Sequence, residues 1–304
     1  MKQLLTIASI FTFILITVYG CKKTNPKTPD NPGEPHECVT YQPKNSSGSK
    51  SGTWSVANEV DNYPGLLPAV TDPAGGYYIV TLTCEASTPW IDISIPGDPY
   101  PIINGSAAGS STPQSRKVAF LAYPGVSYDV FVKPFHNAPS FPENYTISWE
   151  YVGIMDCYEN NDEPSKAKFI PQNTTLEAFA NAGFKNVGPA NNRFDWYKVT
   201  VKQTSKLKVD ITQSPTDEFM NIKLFSQDNS QLTATRTDVS GNSGSAQPGT
   251  LYAVTSNNTL QPGIYYISIE AYKAADNRKY DINHGETMPN AWTKSYKFKV
   301  TTVP

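Results

Sequence analysis

The stretch Lys206-Leu207-Lys208-Val209-Asp210-Ile211 alternates a polar residue with a hydrocarbon one at every step. A period of two puts one face in water and the other in a core, which is the geometry of a β-strand and not of a helix. The same rhythm runs through Trp90-Ile91-Asp92-Ile93-Ser94-Ile95, with the three isoleucines on one side. It recurs in Tyr145-Thr146-Ile147-Ser148-Trp149-Glu150-Tyr151, where Tyr145, Ile147, Trp149 and Tyr151 share a face. Residues 77–83, 117–123, 127–133, 196–202, 264–269 and 296–300 read as further strands. The 25 prolines and 19 glycines fall between these runs as turn residues, and no stretch beyond the N-terminal segment has a helical period.

The strand plan occurs twice. Trp196–Lys202 answers Tyr77–Thr83, Lys206–Ile211 answers Trp90–Ile95, the run after Pro262-Gly263 answers the run after Pro124-Gly125, and Tyr296–Val300 answers Tyr145–Tyr151. The expectation is an all-β fold: two tandem antiparallel β-sandwiches, jelly-roll-like, at residues 51–153 and 154–304.

The N-terminus sets the compartment. Lys2 precedes Leu4–Tyr19, an uncharged and mostly apolar run short of the ~20 residues a spanning helix needs. It ends Val18-Tyr19-Gly20-Cys21, which resembles the lipobox of bacterial lipoproteins, a small residue before a lipid-modified cysteine. The resemblance implies that residues 1–20 are a signal peptide. It also implies that acylated Cys21 anchors the chain in the lipid bilayer of an outer membrane, facing the periplasm or the exterior. Residues 21–50, rich in Pro, Lys, Asn and Ser with almost nothing to bury, read as a flexible tether. Cys38, Cys84 and Cys157 remain; an exported chain forms disulfides, an odd count leaves one thiol over, and spacing does not choose the pair. With a formal net charge of −2 there is no electrostatic case for nucleic acid.

Between the two halves lies Asp156-Cys157-Tyr158-Glu159-Asn160-Asn161-Asp162-Glu163-Pro164, dense in side-chain oxygen. Hard cations such as calcium take six to eight oxygens in flexible geometry, and this cluster offers carboxylates and amides together. The spacing is not that of an EF-hand. The same residues also suit a turn, with Asp162-Glu163-Pro164 opening a short helical segment over 165–168. Both readings stand at this point.

Tyr158-Glu159-Asn160-Asn161-Asp162, then Ala167, Asp195-Trp196-Tyr197 and Pro262-Gly263-Ile264-Tyr265-Tyr266-Ile267 resemble the bacterial pre-peptidase C-terminal domain, with Asn160 where that family has Pro. The likeness covers Asp156 to the C-terminus. It implies a β-sandwich of the kind appended to secreted proteases and other surface proteins. In some members calcium is held by the acidic opening and by the acid before the Trp-Tyr strand. By position that assigns Glu159, Asn161, Asp162 and Asp195, with Asn192 as a further donor.

No catalytic motif is present. His36, His136 and His284 have no metal-ligand spacing, Gly241-Asn242-Ser243-Gly244 falls one residue short of a nucleophile elbow, and Asp217-Glu218 reads as a solvated pair. Trp90 and Trp292 are candidates for stacking on sugar rings, the first outward on its strand and the second in a loop, with packing under a neighbouring segment the alternative. Lys198, Lys202, Lys206 and Lys208 form either a basic face or a solvated one that blocks edge aggregation. The expected function is a non-enzymatic, anchored module that binds a polymer, polysaccharide or extracellular protein, with calcium structural in the second half. The rivals are a spacer or subunit of a surface complex and a hydrolase with a site built from distant residues.

Overall fold

The computed structural model describes residues 42–99, 101–105, 115–136, 141–159, 161–179, 194–238, 247–272, 279–281, 288 and 290–304. Cys21, Cys38, Asn192 and His284 lie outside them. Seven strands form the first half: β1 (Ser46–Trp54), β2 (Asp61–Leu67), β3 (Gly76–Cys84), β4 (Thr88–Ser94), β5 (Ser115–Ala122), β6 (Tyr128–His136) and β7 (Glu143–Gly153). After a 3-10 turn at Pro164–Lys166 come β8 (Lys168–Phe169), β9 (Thr175–Ala178), β10 (Phe194–Val201), β11 (Lys206–Gln213), β12 (Phe219–Phe225), β13 (Ala234–Asp238) and β14 (Tyr252–Ser256). β15 (Gly263–Tyr272), β16 (Lys279–Asp281), the short α1 (Asn290–Thr293) and β17 (Tyr296–Val303) complete the chain.

The protein is all-β and built of two-layer sandwiches. One layer of the first half orders its strands β1-β7-β3-β5, with β16 added at the edge; the other is β2-β6-β4. The second half stacks β12-β15-β10-β8 on β13-β14-β11-β17-β9. The ladders are antiparallel except for the two-residue pairing of β8 with β10. Each half has its own apolar cluster. Trp54, Leu82, Ile91, Ile93, Phe120, Val130 and Ile147 fill the first. Tyr197, Val209, Ile211, Leu224, Ile267, Phe298 and Val300 fill the second. In both, the inward positions are those that alternation selects.

The repeat is real: two of the matches read from sequence hold, β15 with β6 and β17 with β7, and two slip by one strand. Neighbour relations match β1, β2, β3, β4, β5, β6 and β7 with β9, β10, β11, β12, β14, β15 and β17, in chain order. Residues 196–202 therefore answer β2, not β3, and residues 206–211 answer β3, not β4. Alternation states which face of a strand is buried and is silent on which strand lies beside it.

Two other expectations are corrected. Ser46–Lys50, assigned to the tether, belong to β1, which pairs along its whole length with β7. Its polar sequence hides it, because its glycines make room for aromatic partners. A Cβ on Gly48 would lie 2.1 Å from Trp149 Cζ2, and one on Gly52 2.2 Å from Tyr145 Oη. The helical segment is a single turn at Pro164–Lys166 without a side-chain cap.

The halves are joined by more than the linker. The outer face of the β3–β5 ladder carries Ala119 and Leu121, buried, with Tyr77 and Ile79 partly so. Trp292 and Met288 from the second half pack on it, and β16 pairs with β5 through Lys279–Phe120 and Tyr280–Ala119.

Candidate functional site

The acidic opening sits where the chain passes from β7 into the second sandwich. Ile154 N–H donates to Gly75 O at 3.0 Å, fixing the exit from the first half. Asp156 is 2% exposed, and its carboxylate accepts Tyr158 N–H at 2.9 Å and Phe179 N–H at 2.7 Å. Asn161 stitches the loop to β10: Trp196 N–H donates to its carbonyl at 2.8 Å and its Nδ2 donates to Trp196 O at 3.4 Å. Asp195, the second residue of β10, faces inward with Tyr197 and Val199. Its Oδ2 accepts the hydroxyl of Tyr296 from the opposite layer at 2.5 Å, and Tyr296 and Tyr197 share a hydroxyl contact at 2.7 Å.

The loop thus brings Asp156, Glu159, Asn161 and Asp162 to the start of β10 and to Asp195. Burial raises the Asp156 carboxyl to about 6, with Asp162 adding to the rise and the two amides opposing it. Asp162 is also raised to about 6 by burial, against the pull of Lys166. Glu159 is raised well above the usual range by burial, then by Asp195, Asp156 and Asp162. Asp195 is raised likewise, by burial and Asp156, with the Tyr296 hydrogen bond opposing. Carboxyls held this close in a poorly solvated place bind protons more readily than free ones, and a cation among them would offset the cost of their charge. Beside them, the Asn161 side-chain oxygen is buried with no hydrogen-bond partner, one of five such side-chain atoms among the described residues and the one that lies in the acidic loop.

The donor set therefore suits a hard cation in chemistry and in charge. As they stand, no three His, Cys, Asp or Glu side chains among the described residues are grouped tightly enough to hold an ion. Asp156 is committed to two backbone amides and one oxygen of Asp195 to Tyr296, which leaves Glu159, Asn161, Asp162 and the other Asp195 oxygen as the available donors.

The tryptophans divide. Trp292 is in α1, not a loop, and is 4% exposed, its ring 5.9 Å from Tyr77 at the junction. That burial corrects its candidacy for a ligand: no ring face remains for a sugar. Trp90 is half-buried on the outer face of the β4–β6 ladder, with Nε1 donating to Asp92 Oδ1 at 2.7 Å and Lys133 Nζ 4.6 Å over the ring. The four lysines do not share a face. Lys198 and Lys202 go with β10, Lys206 and Lys208 with β11 in the opposite layer, where Lys208 meets Asp210 at 2.7 Å.

Asp217-Glu218 is not a solvated pair either. Asp217 accepts the Asn290 and Ala291 amides at the start of α1, and Glu218 is 3% exposed. Cys84 is in no disulfide and its thiol donates to Ser87 O at 2.7 Å; it is raised to about 12, first by burial and then by the neighbouring Glu143, which keeps it from the thiolate form a nucleophile needs. Cys157 is disulfide-bonded, so the pair does not include Cys84. No helix among the described residues is long and apolar enough to cross a membrane.

Comparison with curated proteins finds no match. Among solved structures the chain is similar to the CUB1-EGF-CUB2 domain of human MASP-1/3, at 8% identity and a TM-score of 0.23, over 84% of this chain and 99% of that one. Residues 193–271, from Asp195-Trp196-Tyr197 through Gly263-Ile264-Tyr265-Tyr266, match the family model described as the bacterial pre-peptidase C-terminal domain.

Proposed function

We propose that the protein is a lipid-anchored, non-catalytic module that presents two sandwiches to an extracellular polymer, polysaccharide or protein. In this reading acylated Cys21 sits in the outer membrane. The observation that carries the binding role is a repeated one. Equivalent sheets of the two halves turn aromatic pairs outward, Trp90 with Phe135 and Trp196 with Phe225, each at 4.9 Å between ring centres. Solvent-facing aromatic pairs, on β4 and β6 in the first half and on β10 and β12 in the second, serve recognition better than they serve solubility. A spacer role would be favoured by a bare apolar patch on the first half, but the patch there is covered by Trp292 and Met288 of the same chain.

The second sandwich in this reading is closed by calcium, held by Glu159, Asn161, Asp162 and Asp195, with Asn192 as a further amide donor. The bound ion would supply the positive charge that lets these carboxyls ionise in place. The test is retention of the full-length chain in detergent on immobilised polysaccharides and matrix proteins, with millimolar calcium. Retention by one class, reduced about tenfold or more in Trp90→Ala or Trp196→Ala, is expected; retention by none contradicts the binding role.

A further inference from the structure

We infer that the outer face of the β12-β15-β10-β8 sheet is a binding platform for an acidic polysaccharide; this rests on, and narrows, the polymer-binding reading above. Register places Phe225 opposite Tyr266, Tyr266 opposite Lys198, and Lys198 opposite Phe169. Directly paired residues share a face, so these four side chains form one row across four strands. At the spacing of neighbouring strands the row spans about 14 Å. All four are half-buried, and Trp196 flanks the row beside Phe225. Lys198 Nζ stands 4.7 Å over the Phe169 ring.

At the Phe169 end the row opens into a depression of about 610 Å³. Its walls join the amides of Gln172, Asn173 and Gln203, two threonine hydroxyls and the cation Lys202 to the hydrocarbon of Ile170, Pro171 and Val199, with no carboxylate. Gln172 is held in place, its Nε2 donating to Thr200 O at 2.7 Å and its Oε1 accepting Thr302 Oγ1 at 3.4 Å. A strip of rings leading to a pocket of amides and hydroxyls fits a chain that is apolar on its ring faces and hydroxyl-rich at its edges, which describes a glycan. The cations Lys198 and Lys202, at the row and in the pocket, select one that carries carboxylates. An extended protein segment would instead ask for apolar pockets at alternate positions.

The equivalent sheet of the first half also turns rings outward, though there Asp92 stands opposite Phe131. Phe131 faces outward between buried Val130 and Val132, Phe135 is 37% exposed, and Trp90 lies opposite Lys133.

The test is retention of the full-length chain in detergent on polygalacturonate, dextran and gelatin beads, for wild type, Tyr266→Ala and Lys202→Gln. Melting curves confirm that the variants fold. Retention on polygalacturonate is expected, at least tenfold above dextran, with each variant losing about tenfold. No retention on polygalacturonate, equal retention on dextran, or indifference to both substitutions overturns the inference. Retention on gelatin alone overturns it while leaving the binding module intact.

Discussion

Tyr296, the first residue of β17, donates its hydroxyl to Asp195, the second residue of β10, across the core of the second sandwich. Tyr145 of β7 does the same to Asp61 of β2 in the first sandwich. In each case a tyrosine two residues beyond the aspartate joins the group: Tyr197 with Tyr296 at 2.7 Å, Tyr63 with Tyr145 at 2.5 Å. The Asp-x-Tyr pair at the strand start and the tyrosine of the final strand thus form a clasp between layers, once per half. The halves part company in what lies beside it. In the second the clasp aspartate adjoins further buried carboxyls, Asp156 and Glu159.

Removing the donor tests the clasp. Tyr296→Phe keeps the ring and strands Asp195 without its hydroxyl partner. Leaving a buried acceptor without its donor costs about 1 to 3 kcal/mol, so urea unfolding should show a loss of about 2 kcal/mol. An unchanged midpoint would mean the hydroxyls are satisfied elsewhere.

The carboxyl group also predicts a pH dependence. Asp156 titrates at about 6 when folded and near 3.8 when unfolded. Between those values the folded state binds more protons than the unfolded one, so stability falls as pH rises through the window. Two pKa units correspond to about 3 kcal/mol for Asp156 alone, with a smaller share from half-buried Asp162. Without divalent ions the melting temperature should therefore climb as pH is lowered from 7 to 5, and saturating calcium should flatten that climb. A melting temperature that falls over this range in chelator would reverse the sign.

Trp292→Ala removes the wedge between the halves. Truncating a buried aromatic costs about 3 to 5 kcal/mol, and the loss here falls on the junction rather than on either core. Calorimetry should resolve a single transition in the wild type into two in the variant. A single transition at the wild-type temperature would show that the junction holds without Trp292.

Cys84 is expected to resist iodoacetamide at pH 8 in the folded chain and to react on unfolding in urea, read by mass. Fast alkylation of the native protein would contradict its burial.

Alternation made the sandwiches legible from residues such as Leu207, Val209 and Ile211, whose inward phase the structure keeps. β1 stayed hidden because Ser, Gly and Lys supply no period, and its stability comes from backbone pairing under Trp149 and Tyr145. The strand-by-strand match slipped because β2, which opens with Asp61, has Pro64 and Gly65 where an alternating run would show apolar residues. Oxygen density and family likeness point to Glu159, Asn161, Asp162 and Asp195 as a group, and the loop places them near one another. Asp156's role as acceptor for two amides was not legible, since a capping contact over 23 residues leaves no local pattern. The row from Phe225 to Phe169 was invisible for the same reason: register across four strands is a tertiary property.

The most direct test is the melting temperature of the full-length chain in chelator against millimolar calcium at pH 7, for wild type and Asp195→Asn. Ligand at a hundredfold over its Kd adds about 2.7 kcal/mol, which for domains of this size is a rise of about 5 to 10 °C. The rise should appear in the wild type and be absent from Asp195→Asn. An identical melting temperature with and without calcium in the wild type would contradict the cation-closed second sandwich.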